Sequence, residues 1–362
     1  MTLKFINQIE PLITKKDKSN INKYLNLNRW ITESKFTNKF EKLFAKKVHS
    51  KFAIAFPNGT LTLSGILLSL NIKQNDEIIV PSFTMVATAN AVKLIGAKPI
   101  FCDISSKNLC LDASQLSKKI TKKTKAIIYV TLNGRSGNIN EIVKICKKRK
   151  IHLIEDSAHS IGSYYKKKHH GNFGIASSFS LSVPKIITTG QGGMVITNNY
   201  KIYKKIKMIK NFGRKTDGND NYSSIGFNFK FTDLQAVLGI SQMRDLNWRI
   251  KKKRQIFNIY WKYLSNNKNI EMIEFKNNET PWFIDIYVKN PNKLKKFLKK
   301  NKISSRLVYP SLNNLKIFNK KEKFTNSNNF CSRGLWLPSS LNLTKSNIKF
   351  ISQKIINFFN TN

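Results

Sequence analysis

Lys185 stands in SFSLSVPKIITTGQGG (178–193), a stretch of hydroxyl-bearing and small residues punctuated by glycine. A lysine amine attacks an aldehyde only when uncharged, and burial lowers its pKa toward that state. Small neighbours permit such burial. Ser178, Ser180 and Ser182 alternate along one face of a strand, where their hydroxyls can donate to an anion. Upstream, IHLIED (151–156) ends on Asp156, with His159 three residues further on. A carboxylate closing a buried strand is costly unless something rewards its charge. A protonated pyridine nitrogen would do so, as would the N–H groups of a helix that Asp156 caps. His159 reads either as a reactive or as a structural histidine. Earlier still, PNGT (57–60) sets Gly59 and Thr60 at a helix start, where a close backbone, a hydroxyl and free N–H groups suit a phosphate. Asn-Gly is also an ordinary turn. A phosphate cradle, a carboxylate for a ring nitrogen and a buried lysine on successive strand ends are the requirements of pyridoxal 5'-phosphate (PLP).

The elements that must position these groups alternate. FAIAF (52–56), EIIVP (77–81), KPIFCDI (98–104), KAIIYVTL (125–132), IHLIED (151–156), SSFSLS (177–182) and GGMVIT (192–197) are strand candidates, several apolar on both faces. Helical patterns such as 60–72, 84–96 and 138–150 lie between them. This order predicts an α/β fold with a mainly parallel seven-stranded sheet covered by helices, whose ligands bind beyond the carboxyl ends of the strands. Past residue 230 the texture changes. Residues 232–264 have helical periodicity over a length that suggests one long connecting helix, followed by PWFIDIYVK (281–289), a helix at 292–302, SSRLVYP (304–310) and a last helix near 345–359. Two strands and two helices predict a smaller C-terminal α/β domain over 241–362, packed on a large domain over 1–240 that includes the N-terminal segment.

Composition bounds the partners. The chain carries 64 Lys and Arg against 20 Asp and Glu, a formal charge of +44. Such charge suits nucleic acid through phosphate neutralisation. Yet the lysines run through the whole chain beside abundant Asn and Ile, residues that share A/T-rich codons, and a nucleotide diphosphate fits the same field. Nucleic acid is therefore the less favoured partner. Cys102, Cys110, Cys146 and Cys331 are scattered, without metal-ligand spacing, and read as buried thiols with no metal site. No apolar run approaches the ~18–20 residues of a membrane span, and the first twenty residues lack the apolar core of a secretory leader, which places the chain in the cytoplasm.

With these residues in view, the chain resembles the DegT/DnrJ/EryC1/StrS family of PLP-dependent nucleotide-sugar aminotransferases, a fold-type I group. The likeness runs through NGTLTL (58–63), DEIIVPSFTMVATANAVKLIGAKPIFCDI (76–104), LIEDSAHSIGSYY (153–165), GNFGIASSFSLSVPKIITTGQGGMVIT (171–197), GFNFKFTDLQAVLGISQM (226–243) and SSRLVYPSL (304–312). By that resemblance Lys185 is the lysine that holds PLP and then moves the proton, Asp156 pairs with the pyridine nitrogen and His159 packs against the ring. Gly59, Thr60, the backbone N–H of Leu61 and Ser180 meet the phosphate. Asn228 reaches the phosphate of a neighbouring subunit, which implies a homodimer with shared active sites, and Arg306 and Tyr309 lie near the substrate. Three positions depart from the family pattern: Met85 replaces an aromatic residue that stacks on the ring, Gln191 a glutamate and Ser182 a histidine. A thioether makes a weaker contact with a ring than stacking does. The resemblance implies transfer of an amino group from an amino acid, most often L-glutamate, to a nucleotide-linked 4-keto-6-deoxyhexose. C3 amination uses the same scaffold; relatives that dehydrate the sugar carry His at the lysine position, so Lys185 argues for amino transfer.

Overall fold

The computed structural model describes residues 5–216, 218, 220–318 and 322–361; the first four residues of the stretch read for a leader lie outside them. The seven expected strands form β1 (Phe52–Phe56), β2 (Glu77–Pro81), β3 (Lys98–Cys102), β4 (Thr124–Val130), β5 (His152–Asp156), β8 (Ala176–Ser180) and β9 (Gly193–Thr197), with a short hairpin, β6 (Tyr164–Tyr165) and β7 (Lys168–His169), inserted after β5. The sheet order is β1-β9-β8-β5-β4-β2-β3. Its four pairings from β3 to β8 are parallel, while β9 runs antiparallel to both β8 and β1.

Apolar residues on both strand faces are explained by helices on both sides. Ile78 and Val80 of β2 and Ile128 and Val130 of β4 enter one core with Leu63 and Ile66, whereas Ile79, Ile127 and Tyr129 enter the opposite core with Ile139 and Ile142. A third cluster joins Ala53 and Ala55 of β1, Phe179 and Met194 to Phe40 and Phe44. Burying such a side chain stabilises the fold by about 1.5–3 kcal/mol. The covering helices are α1 (Lys15–Leu25), α2 (Lys35–Lys47), α3 (Gly59–Ser69), α4 (Ala87–Leu94), α5 (Ala113–Lys119), α6 (Ile139–Arg149), α7 (Tyr200–Lys210) and α8 (Asp233–Arg244).

The single helix expected over 232–264 is two helices. It breaks at Asp245 (φ −99°, ψ 7°), which ends α8 and precedes α9 (Leu246–Leu264). Aspartate competes poorly for helix interiors, and the break lets Leu246 enter the core beside Phe40 and Phe44. The boundary expected at 240/241 therefore falls inside α8. Beyond it, β10 (Ile284–Tyr287), β11 (Arg306–Leu307) and β12 (Gly334–Leu337) make a three-stranded antiparallel sheet, one strand more than expected, with α10 (Pro291–Lys300), α11 (Thr325–Arg333) and α12 (Lys345–Asn360). Its core joins Ile256, Tyr260, Ile284, Leu294, Leu335, Leu337, Ile351 and Ile355. The first residues of the N-terminal segment run along this sheet, while α1 packs on α8. Ile6 bridges Ile303, the Gln8 side chain donates to the Leu337 carbonyl, and the Gln8 carbonyl accepts from Ser339 N–H. An extended segment beside a small sheet satisfies backbone groups that would otherwise lack partners.

The four cysteines are free, three of them buried and Cys331 half-buried. Among the described residues no cluster could hold a metal ion, and no helix is long and apolar enough to cross a membrane.

A buried ion pair ties the turn after β4 to β10: Arg135 donates to both oxygens of Asp285 at 3.0 and 2.9 Å. Burial works against the guanidinium charge, but the charges of Asp285 and Tyr287 more than offset it and its pKa is raised. Asp285→Ala leaves that charge uncompensated and is expected to cost about 3–5 kcal/mol in urea denaturation, while Arg135→Met with Asp285→Leu recovers most of it. Equal losses in the single and double variants would contradict this reading.

Candidate active site

Register aligns the strand ends along one edge of the sheet. Val130 of β4 lies opposite Asp156, Asp156 opposite Ser178, and Gly193, the first residue of β9, opposite both Ser180 and Phe56. The antiparallel turn of β9 thus brings its start to the edge where β1, β5 and β8 end.

Asp156 is buried. Its two oxygens accept from the Thr88 hydroxyl at 2.8 Å and from Ala158 N–H at 3.2 Å. No helix follows it: the chain turns and enters the β6–β7 hairpin, so the helix-cap alternative falls away. Desolvation raises its pKa, opposed by Thr88, Ala158 and the charge of Lys185. Lys185 keeps part of its side chain exposed, yet its amine is enclosed enough that desolvation brings its pKa down from 10.5 to about 7, with Asp156 pulling the other way. An amine in that range can accept and donate protons near neutral pH.

The turn after β1 becomes the N-terminus of α3. Asn58 caps it, its side chain accepting from Leu61 N–H at 2.9 Å. Leu61 N–H is thereby engaged, so the donors left to an anion are the N–H groups of Gly59 and Thr60, which make no hydrogen bond among the described residues. Gly59 faces the end of β8, and a Cβ there would stand 3.2 Å from Ser180 Cβ. At Gly193 a Cβ would meet the Asn58 carbonyl oxygen at 2.6 Å, so the strand can approach the turn only without a side chain. Of the three serines, Ser178 is consumed by packing, bonded to the Thr62 hydroxyl at 2.5 Å; Ser180 and Ser182 bond to each other at 3.1 Å and stay partly exposed.

His159 is buried, its Nδ1 accepting from Asn133 N–H at 3.2 Å, which leaves the proton of the neutral ring on Nε2. Burial, then the charge of Lys185, holds its pKa well below the usual range. Tyr309 is half-buried; burial raises its pKa, and the charges of Arg306 and Asp156 both act on it, which places it toward the site. The exposed Arg306 stands 5.8 Å from the Tyr309 ring. Met85 is 41% exposed, and Asn228 is exposed on the segment paired with Asn211. The structure therefore gathers Asp156, His159, Lys185 and Tyr309, lines up Gly59, Thr60 and Ser180, and leaves Asn228 on the outer surface of this chain.

Several contributors carry no local sequence signal. Thr88 is one hydroxyl within a helical pattern. Trp282, from the segment before β10, lies with its ring centroid 3.9 Å from Lys185 Nζ and stacks on His159 at 3.8 Å. Behind the lysine, Arg249 donates to the Ile186 carbonyl and Gln242 accepts from Thr188 N–H, while both donate to the Leu12 carbonyl. Two residues of α8 and α9 thus fix the lysine's loop to the N-terminal segment.

The donor set fits a phosphorylated pyridine aldehyde. It offers N–H and hydroxyl donors where a phosphate would lie, a desolvated carboxylate with hydrogen-bonding capacity left for a ring N–H, and an amine largely free of its proton above pH 7.

Comparison with known proteins agrees. The family model of the DegT/DnrJ/EryC1/StrS aminotransferase family matches residues 11–356. The GDP-perosamine synthase of Escherichia coli O157:H7 is 33% identical over 362 residues, 99% of each chain. The UDP-4-amino-4,6-dideoxy-N-acetyl-beta-L-altrosamine transaminase of Helicobacter pylori is 32% identical over 71% of this chain and 69% of its own. Among solved structures, Helicobacter pylori PseC, an aminotransferase of pseudoaminic acid biosynthesis, superposes with a TM-score of 0.92 at 26% identity, covering 99% of this chain and 100% of its own. The PLP form of the Streptococcus pneumoniae protein Spr1654 shares the fold, with a TM-score of 0.94 at 22% identity over 99% of each chain.

The Lys185 shift has a stability consequence. Between its folded value of about 7 and its ordinary 10.5 the unfolded chain holds a proton that the folded chain has shed. The contribution of this group to stability therefore rises with pH across that window and is least below pH 7, by at most about 1.4 kcal/mol per pH unit. Lys253 is shifted in the same way. Lys185→Met in the cofactor-free chain is expected to lose one proton's worth of slope in urea denaturation between about pH 7.5 and about pH 9.5. Parallel slopes for the two proteins would contradict the burial of this amine.

Proposed function

The chain belongs to the DegT/DnrJ/EryC1/StrS aminotransferase family, and within it we propose that it moves an amino group from an amino acid, L-glutamate foremost, onto C4 of a nucleotide-linked 4-keto-6-deoxyhexose, with PLP held at Lys185. It is a PLP-dependent sugar aminotransferase. The observation that carries the reading of the site is the amine of Lys185, enclosed beside Asp156 with its pKa brought to about 7. The substrate position follows the Helicobacter pylori relative, whose name places an amine at C4 of a 4,6-dideoxy sugar on UDP.

PLP, when bound, supplies the electron sink and carries the amino group between the two half-reactions. The protein does the rest. Asp156, oriented by the Thr88 hydroxyl, would hold a proton on the cofactor's ring nitrogen. Gly59 and Thr60 N–H and the Ser180 hydroxyl would hold its phosphate at the start of α3, where the helix dipole favours an anion. His159, neutral, presents Nε2–H. Lys185 would hold the cofactor through its amine, and with its pKa near neutrality that amine is the group able to take a proton from the substrate carbon and give it back.

A second copy of the chain completes the reading. Trp30, Ile31 and Ile225 are 73%, 53% and 86% exposed, and Phe227, next to Asn228, is 41% exposed, an apolar face suited to burial against a partner of the same kind. Beside it a groove of about 720 Å³ is lined by Trp30, Lys204, Lys207, Arg214, Lys215 and Lys230, charge that suits the diphosphate of a nucleotide sugar. We place the homodimer in the cytoplasm, where nucleotide sugars are made.

Lys185→Ala is expected to lower turnover at least about 10²–10⁴-fold, measured as 2-oxoglutarate released from glutamate in the presence of 4-keto and 3-keto sugar nucleotides; ordinary rates in that variant would refute the assignment, and turnover with the 3-keto sugar alone would move the amine to C3. Mixed Lys185→Ala and Asn228→Asp chains are expected to regain activity that neither has alone, because a hybrid dimer holds one intact site. Failure of an exchanged mixture to regain it would refute shared sites.

A further inference from the structure

Trp282 is far from Lys185 in sequence but is held against it on every side. Its indole N–H donates to the Pro184 carbonyl at 2.8 Å, the residue immediately before Lys185. Its ring lies 3.9 Å from Lys185 Nζ, stacks on His159 at 3.8 Å with 16° between the planes, and stacks on Phe283 at 3.7 Å. Its backbone N–H donates to the Asn133 carbonyl, and Asn133 N–H donates to His159 Nδ1, which closes a loop of contacts around the lysine. The Trp282 carbonyl accepts from Lys253, whose amine also donates to the Ser339 carbonyl, both at 2.6 Å. Lys253 is 1% exposed and forms no salt bridge among the described residues. A buried amine whose hydrogen bonds go to two carbonyls ties α9 to both chain segments.

We propose that Trp282 is the positioning residue for the Lys185 amine, cradling its ammonium form over an electron-rich ring and fixing the backbone that carries it, with Lys253 as the strut that keeps the indole in place. The inference rests on reading Lys185 as the reactive amine. An ammonium over an indole is stabilised by the negative face of the ring, more strongly when water is excluded. The other groups facing this amine are Asp156, which favours its charge, and His159, which is neutral there; Tyr309, farther out, feels the charges of both Arg306 and Asp156. Burial alone would strip the proton at still lower pH. The ring offsets part of that and keeps the amine able both to give and to take a proton near neutrality.

The test replaces Trp282 by tryptophan carrying one, two or three ring fluorines, which keep the shape of the ring while draining its negative face. In the full-length chain freed of cofactor, competitive acetylation at a series of pH values, read by mass spectrometry of the peptide containing residue 185, gives the midpoint for that amine alone. The expected result is a midpoint that falls with each fluorine, and by about one pH unit in Trp282→Leu. A midpoint indifferent to fluorination overturns the proposal, and these chains keep the native ring shape, so a failure of Trp282→Leu to fold does not remove the test. Lys253→Met is expected to lower the midpoint in the same direction; an unchanged value overturns the strut. No cofactor or sugar enters the measurement, so its failure is distinct from failure of the transamination reading.

Discussion

The structure turns on one enforced desolvation: an amine held out of water beside a buried carboxylate where strands end. Water would solvate both charges fully, and the fold instead surrounds them with protein dipoles and rings. Asp156 and Lys185 each favour the other's charge, while burial pushes against both. The conflict costs on the order of a few kcal/mol and persists because rigid elements hold the carboxylate and the amine in place. A lysine at ease in solvent would be a permanently charged bystander. Held this way, an amine can act as a nucleophile and a proton carrier.

Everything around the pair serves to keep that geometry. Parallel pairing of β4, β5 and β8 sets Asp156 beside Ser178, and the reversal at β9 brings Gly193 against the Asn58 turn, so the start of α3 and the amine share one edge. From the far side, Arg249 and Gln242 anchor the loop after Lys185, and the Arg135–Asp285 pair and Trp282 lock the C-terminal sheet onto the same region. The strongly basic surface is a separate matter. A field of that sign raises the local concentration of any polyanionic substrate without choosing among them.

Much of this was legible in the sequence because it rests on short-range rules. Strand ends carry the chemistry in helix-covered sheets, so IHLIED and SFSLSVPK point to Asp156 and Lys185, and PNGT points to the helix start beside them. What was not legible depends on contacts between distant segments. Thr88 matters only because α4 passes beside β5, and Trp282 only because the C-terminal sheet folds back over the lysine. GLWL (334–337) is too short for periodicity to mark as the central strand of that sheet. The N-terminal segment has nothing in its composition to say that it lies along Ile303 and Leu337. The break at Asp245 is set by where Leu246 must be buried, while the pattern on either side reads as continuous helix. The cap on Leu61 N–H likewise appears only when the Asn58 side chain is seen to turn inward.

The most direct measurement is the site of covalent attachment. Borohydride reduction of the purified, PLP-loaded protein followed by peptide mass spectrometry predicts a single stable phosphopyridoxyl group, on the ε-nitrogen of residue 185. Attachment at another lysine of this lysine-rich chain, or a reduced protein carrying no such group, would contradict the account.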